Sequence, residues 1–97
     1  MAITIPDREN RDSLFFEAAY FIIEKNEIRP GQLQIKFRLG YNRANKILKQ
    51  LVDAGIVSEE PYKWKVNVNM EELLMAFHNT FHIEEQFDKG LLDILKP

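Results

Sequence analysis

The chain has no cysteine, so neither disulfides nor thiolate metal sites enter its chemistry, and its stability has to come from packing. It has no apolar run long enough for a signal peptide or a membrane span, which makes a cytoplasmic location away from any membrane the expectation. Four glycines and four prolines are scattered as punctuation rather than gathered into a linker, and no internal repeat or low-complexity stretch occurs. The most informative absence is local. Between Arg29 and Val52 there is not one Asp or Glu.

That acid-free stretch carries six basic residues, Arg29, Lys36, Arg38, Arg43, Lys46 and Lys49, inside a chain whose formal charge is only -2. The flanks are acidic: residues 1–28 hold three basic and six acidic side chains, and residues 69–97 hold two and six. A block of one sign on a short stretch is the electrostatic footprint of a polyanion-binding face. Ninety-seven residues, 45% of them hydrophobic, suffice for one modest core.

Leu14, Phe15, Ala18, Ala19, Ile22 and Ile23 recur at helical spacing after the possible caps Asp12 and Ser13, predicting a helix over about 13–26, with residues 1–11 as a frayed tail. Pro30 disfavours helical geometry at Arg29, and a short second helix follows from about 31 to 38. Leu39-Gly40 reads as a tight turn in which glycine takes positive φ, and a third helix runs from about 41 to 54 until Gly55 stops it. Two helices joined by so short a Gly-containing turn form a helix-turn-helix signature. On a helical wheel Asn42, Arg43, Asn45, Lys46, Lys49, Gln50 and Asp53 share one arc, while Tyr41, Ala44, Ile47, Leu48, Leu51, Val52 and Ala54 fill the other. Arg, Asn and Gln suit bidentate contacts to base edges, and Lys neutralises phosphates.

Ile56-Val57-Ser58 and the alternating segment from Tyr62 to Val68 read as two strands joined by Glu59-Glu60-Pro61, which makes a stubby wing with Lys63 and Lys65 on its outer face. From Asn69 the period is helical again. Asn69 with Glu72 fits a capping box, Met70, Leu73, Leu74, Phe77 and Phe81 form a stripe to about Phe87, and a short further helix, Leu91 to Leu95, follows a break at Asp88-Lys89-Gly90. The fold class is therefore mostly α with a small β wing: a tail at 1–12, a winged helix-turn-helix at 13–68 and a helical extension at 69–97. The extension holds more large apolar groups than a small core needs, the mark of a dimerisation or partner-docking element.

The run Ile35-Lys36-Phe37-Arg38-Leu39-Gly40-Tyr41-Asn42-Arg43-Ala44, continuing through Ala54-Gly55-Ile56-Val57-Ser58, closely resembles the gamma domain of FtsK-type DNA translocases, whose hallmark is K-F-R-I-G-Y-N-R-A followed by an aliphatic helix and A-G-I-V-S. The resemblance covers about residues 13–68 and implies a winged helix that contacts DNA through the turn and the start of its recognition helix, here Arg38, Tyr41, Asn42 and Arg43. It also implies that adjacent domains of this type bind DNA together and touch a site-specific recombinase. The chain departs from the family in three ways: it has no phosphate-binding G-x-x-x-x-G-K-[ST] element, so the motor's ATP hydrolysis does not carry over; its wing is short; and its helical extension has no counterpart there.

A solvated helix face would carry the same residue types, but the acid-free block, the helix-turn-helix frame and the resemblance all favour contact with double-stranded DNA. The candidate DNA-binding residues are Lys36, Arg38, Tyr41, Asn42, Arg43, Asn45, Lys46, Lys49, Lys63 and Lys65. For Tyr41, on the apolar arc, a half-buried structural role competes with a phosphate contact, and Trp64 reads as core rather than as a stacking platform. His78 and His82 have metal-ligand spacing but no Cys or H-E-x-x-H glutamate beside them, so no metal and no cofactor is expected. Adjacent Glu84 and Glu85 diverge around a helix instead of converging on a substrate, and no enzyme is expected. The leading function is a sequence-selective DNA-binding protein, either a transcription regulator or a mobile-element or chromosome accessory factor, with residues 69–97 serving a homodimer or a protein partner. The alternative is a winged helix that docks a larger assembly through its basic face and acidic tail.

Overall fold

A computed structural model of the chain describes residues 3–60 and 63–95, with the side chains of Pro30, Lys63 and residues 85–95 outside that description. Its elements run α1 (Phe15–Lys25), α2 (Pro30–Phe37), α3 (Tyr41–Asp53), β1 (Val57–Glu60), β2 (Lys63–Val66) and α4 (Met70–Leu95). This is a winged helix-turn-helix with a long C-terminal helix, mostly α with a small β wing.

The core forms where the apolar arcs meet. Phe15, Ala18, Ala19 and Ile22 of α1 pack with Leu33 of α2 and with Ala44, Ile47, Leu48 and Leu51 of α3, and Ile56, Val57, Val68 and Leu73 close the layer. Full burial of each large aliphatic chain is worth roughly 1.5–3 kcal/mol, so the three such residues on α3 go far towards fixing that helix in place. One member of its expected apolar arc does not follow: Tyr41, in the first turn, is 67% exposed and stands outside the core.

The chain turns by a different device from the one expected. Gly40 has φ -70° and ψ 162°, ordinary extended backbone, and the left-handed residue is Arg38 at φ 53°, whose N–H donates to the Gln34 carbonyl as the C-cap of α2. The glycine that uses its freedom is Gly55, at φ 84°. There the Gly55 N–H donates to the Val52 carbonyl and the Ile56 N–H to the Leu51 carbonyl, both at 3.0 Å, a Schellman closure sealed by the buried Leu51 and Ile56 side chains.

The wing is an antiparallel pair in the register Val57↔Val66, Ser58↔Lys65, Glu59↔Trp64 and Glu60↔Lys63. Glu59 and Glu60 thus belong to β1 instead of the connection, because pairing runs out to Lys63; Pro61 and Tyr62 lie outside the described residues. Trp64 and Val66 pack on the core, and Lys65 faces out.

Asn69 and Glu72 form the expected capping box: the Glu72 N–H donates to Asn69 Oδ1 at 2.8 Å and the Asn69 N–H to Glu72 Oε1 at 3.2 Å. The helix they open is single, and the break expected at Gly90 is absent because one glycine costs only about 1 kcal/mol in a helix and no proline accompanies it. Along it Leu73 is buried, whereas Leu74, Met75, Phe77, Phe81 and Ile83 are exposed.

The N-terminal segment is tied down instead of frayed. The Thr4 N–H donates to the Ala54 carbonyl at 3.0 Å, and Ile3 and Ile5 pack on the core. Arg11 pairs with Glu84 of α4 at 3.0 Å while its guanidinium lies 5.3 Å from the Phe16 ring centre and 5.6 Å from that of Phe81.

Candidate nucleic-acid interface

Burying one arc of α3 dictates that the other faces out. Asn42, Arg43, Lys46 and Lys49 are exposed on it and Asn45 is half-buried, so successive turns present an amide or a cation. The turn before α3 adds the exposed, left-handed Arg38, and the first residue of α3 is the exposed Tyr41. Lys36, at the end of α2, keeps its Nζ 5.6 Å from the Phe21 ring centre while remaining exposed. No side chain caps α3, so the N–H groups of its first turn, at the positive end of the helix dipole, are not taken by a capping side chain.

Lys65 is exposed on β2, and the side chain of Lys63 lies outside the described residues. His78 and His82 stack in parallel with ring centres 6.2 Å apart, and among the described residues no group of three or more His, Asp or Glu is placed to hold a metal ion. No helix among the described residues is long and apolar enough to cross a membrane.

Part of the α3 face is held by the chain itself, through residues that sequence reasoning did not count as part of the site. Arg43 donates through Nε to Asp12 Oδ2 and through Nη2 to Asp12 Oδ1, both at 3.1 Å, and through Nη2 to Ser13 Oγ at 3.3 Å. Gln50, two turns on, donates from Nε2 to the Asn10 carbonyl at 2.6 Å and accepts the Asp12 N–H at 3.0 Å. Asp12 Oδ1 also accepts the Leu14 N–H at 2.9 Å, ahead of α1. The hydrogen bond from Arg43 holds the Asp12 carboxyl below the usual carboxylate range against the opposing effect of burial; the Leu14 N–H and the charges of Arg43 and Lys46 act in the same direction. The same pairing pushes Arg43 up from its ordinary value. The sequence marked Asp12 and Ser13 as caps and Gln50 as a polar-arc residue; in the structure no side chain caps α1, whose N-cap position is Leu14, and no local spacing joins positions 31 or 38 residues apart.

The model of the Ftsk gamma domain family matches residues 9–67, which takes in the segment around Asp12, all of α1 to α3 and the wing, and stops short of α4. The DNA translocase SftA of Bacillus subtilis is 39% identical over 51 residues, covering 53% of this chain and 5% of its own length. The DNA translocase FtsK of Chlorobaculum tepidum is 42% identical over 52 residues, or 54% of this chain and 6% of that protein. The FtsK of Listeria monocytogenes is 33% identical over 69 residues, 69% of this chain and 9% of its own. The chain thus spans less than a tenth of these relatives' lengths.

Proposed function

Because the chain belongs to the Ftsk gamma domain family, we propose that it is a module that binds duplex DNA, with α3 in the major groove. The observation that carries the reading is the outward arc of α3, which offers amides and cations and no carboxylate before Asp53 while its other arc is locked in the core. Asn42 and Arg43 stand nearest the base edges and give sequence selectivity. Lys36, Arg38, Lys46 and Lys49 neutralise phosphates, and the uncapped first turn of α3 adds backbone donors. Tyr41 is a phosphate contact on this reading, which its exposure supports. The relatives are named as DNA translocases, and the part of them that this chain matches acts here as a binding module without chemistry of its own.

A protein-binding role has an observation in its favour too, and it concerns a different surface. Leu74, Met75 and Ile83 are exposed at 51%, 60% and 65% on α4, an acidic helix outside the family match, which fits a homodimer or a protein partner. Selection from a random duplex pool tests the DNA reading directly. Enrichment of a sequence supports it, an asymmetric winner favouring a translocase-like reader and a palindrome a dimeric regulator. No retention of duplex at low salt, with capture of a protein partner intact, overturns it.

A further inference from the structure

Arg43 is the one cation of the outward arc for which the structure shows a fixed orientation, and the group that fixes it comes from outside the helix-turn-helix. The Asp12 side chain is only 7% exposed while that of Arg43 remains 46% exposed, so the carboxylate lies beneath the guanidinium and leaves its outer edge to solvent. Two of its five N–H donors, on Nε and Nη2, are taken side-on by the carboxylate, and a longer bond from Nη2 reaches Ser13 Oγ. The Nη1 end carries none of these bonds. The carboxylate is itself immobilised, because Oδ1 accepts the Leu14 N–H and the Asp12 backbone is clasped by Gln50 from the same helix. A mobile inhibitory arm would lack such anchoring.

We infer that Asp12 is a positioning residue for DNA recognition: it buttresses Arg43 on the outward face of α3 so that the guanidinium meets a base edge through its Nη1 end in one preset geometry. The inference rests on the DNA-binding reading above. Three consequences separate this role from simple support of the fold. First, the buttress converts Arg43 from a freely swinging charge, which would seek any phosphate, into an oriented donor, so removing it relaxes selectivity. Second, the carboxylate offsets the arginine charge, so removing it strengthens binding to unrelated duplex. Third, Gln50, although on the polar arc of the recognition helix, serves the latch and not the DNA.

The test compares wild type, Asp12→Asn, Arg43→Lys and the double variant in selection from a random duplex pool, followed by affinities for the enriched duplex and a scrambled one. Asn at position 12 keeps an acceptor for the Leu14 N–H, and circular dichroism with thermal unfolding of each variant confirms a folded domain. The expected result is that Asp12→Asn lowers the ratio of the two affinities by about 3- to 10-fold, the value of one pre-ordered side chain, while affinity for the scrambled duplex rises. Arg43→Lys is expected to lose the same discrimination, with little further loss in the double variant, because both changes remove one interaction. An unchanged ratio in Asp12→Asn overturns the inference alone, as does tighter binding of both duplexes by one common factor, the signature of an inhibitory latch. Wild type that enriches no sequence overturns the underlying reading, and this inference falls with it.

Discussion

Replacing Lys49 with Ala removes one exposed cation from the outward arc and touches nothing in the core, so its effect on DNA binding and on stability should separate cleanly. If Lys36, Arg38, Lys46 and Lys49 each neutralise a phosphate, while the charge of Arg43 is offset by Asp12, the logarithm of affinity should fall with the logarithm of salt at a slope of about -3.6. Between about 50 and 200 mM salt that slope weakens binding by roughly 150-fold; the Lys49→Ala variant, at a slope of about -2.7, should lose roughly 40-fold. The substitution also lowers affinity for every duplex by a similar factor, because a phosphate carries no sequence information. Fluorescence anisotropy on a labelled duplex across a salt series reads both quantities. Thermal unfolding should shift by no more than about 0.5 kcal/mol, as expected for a surface change without a partner. An unchanged slope, or a loss confined to one sequence, would refute the assignment of Lys49 to the phosphate backbone.

The two glycines flanking α3 should behave oppositely. Gly55→Ala places a side chain at φ 84° and should cost about 1–2 kcal/mol, a fall in Tm of roughly 4–15 °C, whereas Gly40→Ala, with φ -70° and nothing within 4 Å of the added carbon, should stay within about 0.5 kcal/mol; a larger loss at Gly40 would mean that the turn is built otherwise. Asp12 predicts an acid limb in stability. Its folded carboxyl titrates below the unfolded value of about 3.9, so its contribution is complete above that pH and is lost as pH falls through the lower folded value, Arg43 staying protonated throughout. Urea unfolding of wild type and Asp12→Asn at about pH 6 and about pH 3 should show a wild-type advantage that shrinks in acid; a pH-independent difference would rule the pairing out as its source.

What could be read from the sequence was what short-range periodicity encodes. Helical spacing found α1, α3 and the start of α4; alternation found the inner face of β2; and the Asn69/Glu72 pair announced its own capping box, because each of these depends on residues within one or two turns of each other. Period alone misplaced Tyr41, since a first-turn position sits where the core has already ended and the wheel cannot see that edge. Glycine chemistry misled at Gly40, where Arg38 takes the left-handed conformation instead. The latch of Asp12 and Ser13 to Arg43, and of Gln50 to Asn10, was hidden because nothing local distinguishes a polar side chain placed to cap the next helix from one that reaches a distant helix instead.

These features meet at the entry to α3. A residue in the left-handed region is uncommon outside glycine and costs roughly 1–2 kcal/mol, so an arginine there must be held by its surroundings. The hold comes from α2, whose Gln34 carbonyl accepts the N–H groups of both Arg38 and Leu39 and so closes the helix before the chain enters Gly40 extended. A glycine at position 38 would make the same turn without strain but would remove a cation from the rim of the proposed DNA face. A side chain at position 40 would meet no protein atom, so the space around it is open in the folded chain. The order of the two residues therefore puts the charge on the strained position and the smallest residue at the uncapped mouth of the recognition helix, where a phosphate would come closest to backbone. Folding alone would be served better by the reverse order, which removes the left-handed strain at position 38, whereas approach of a phosphate to the backbone at position 40 is served by the order found.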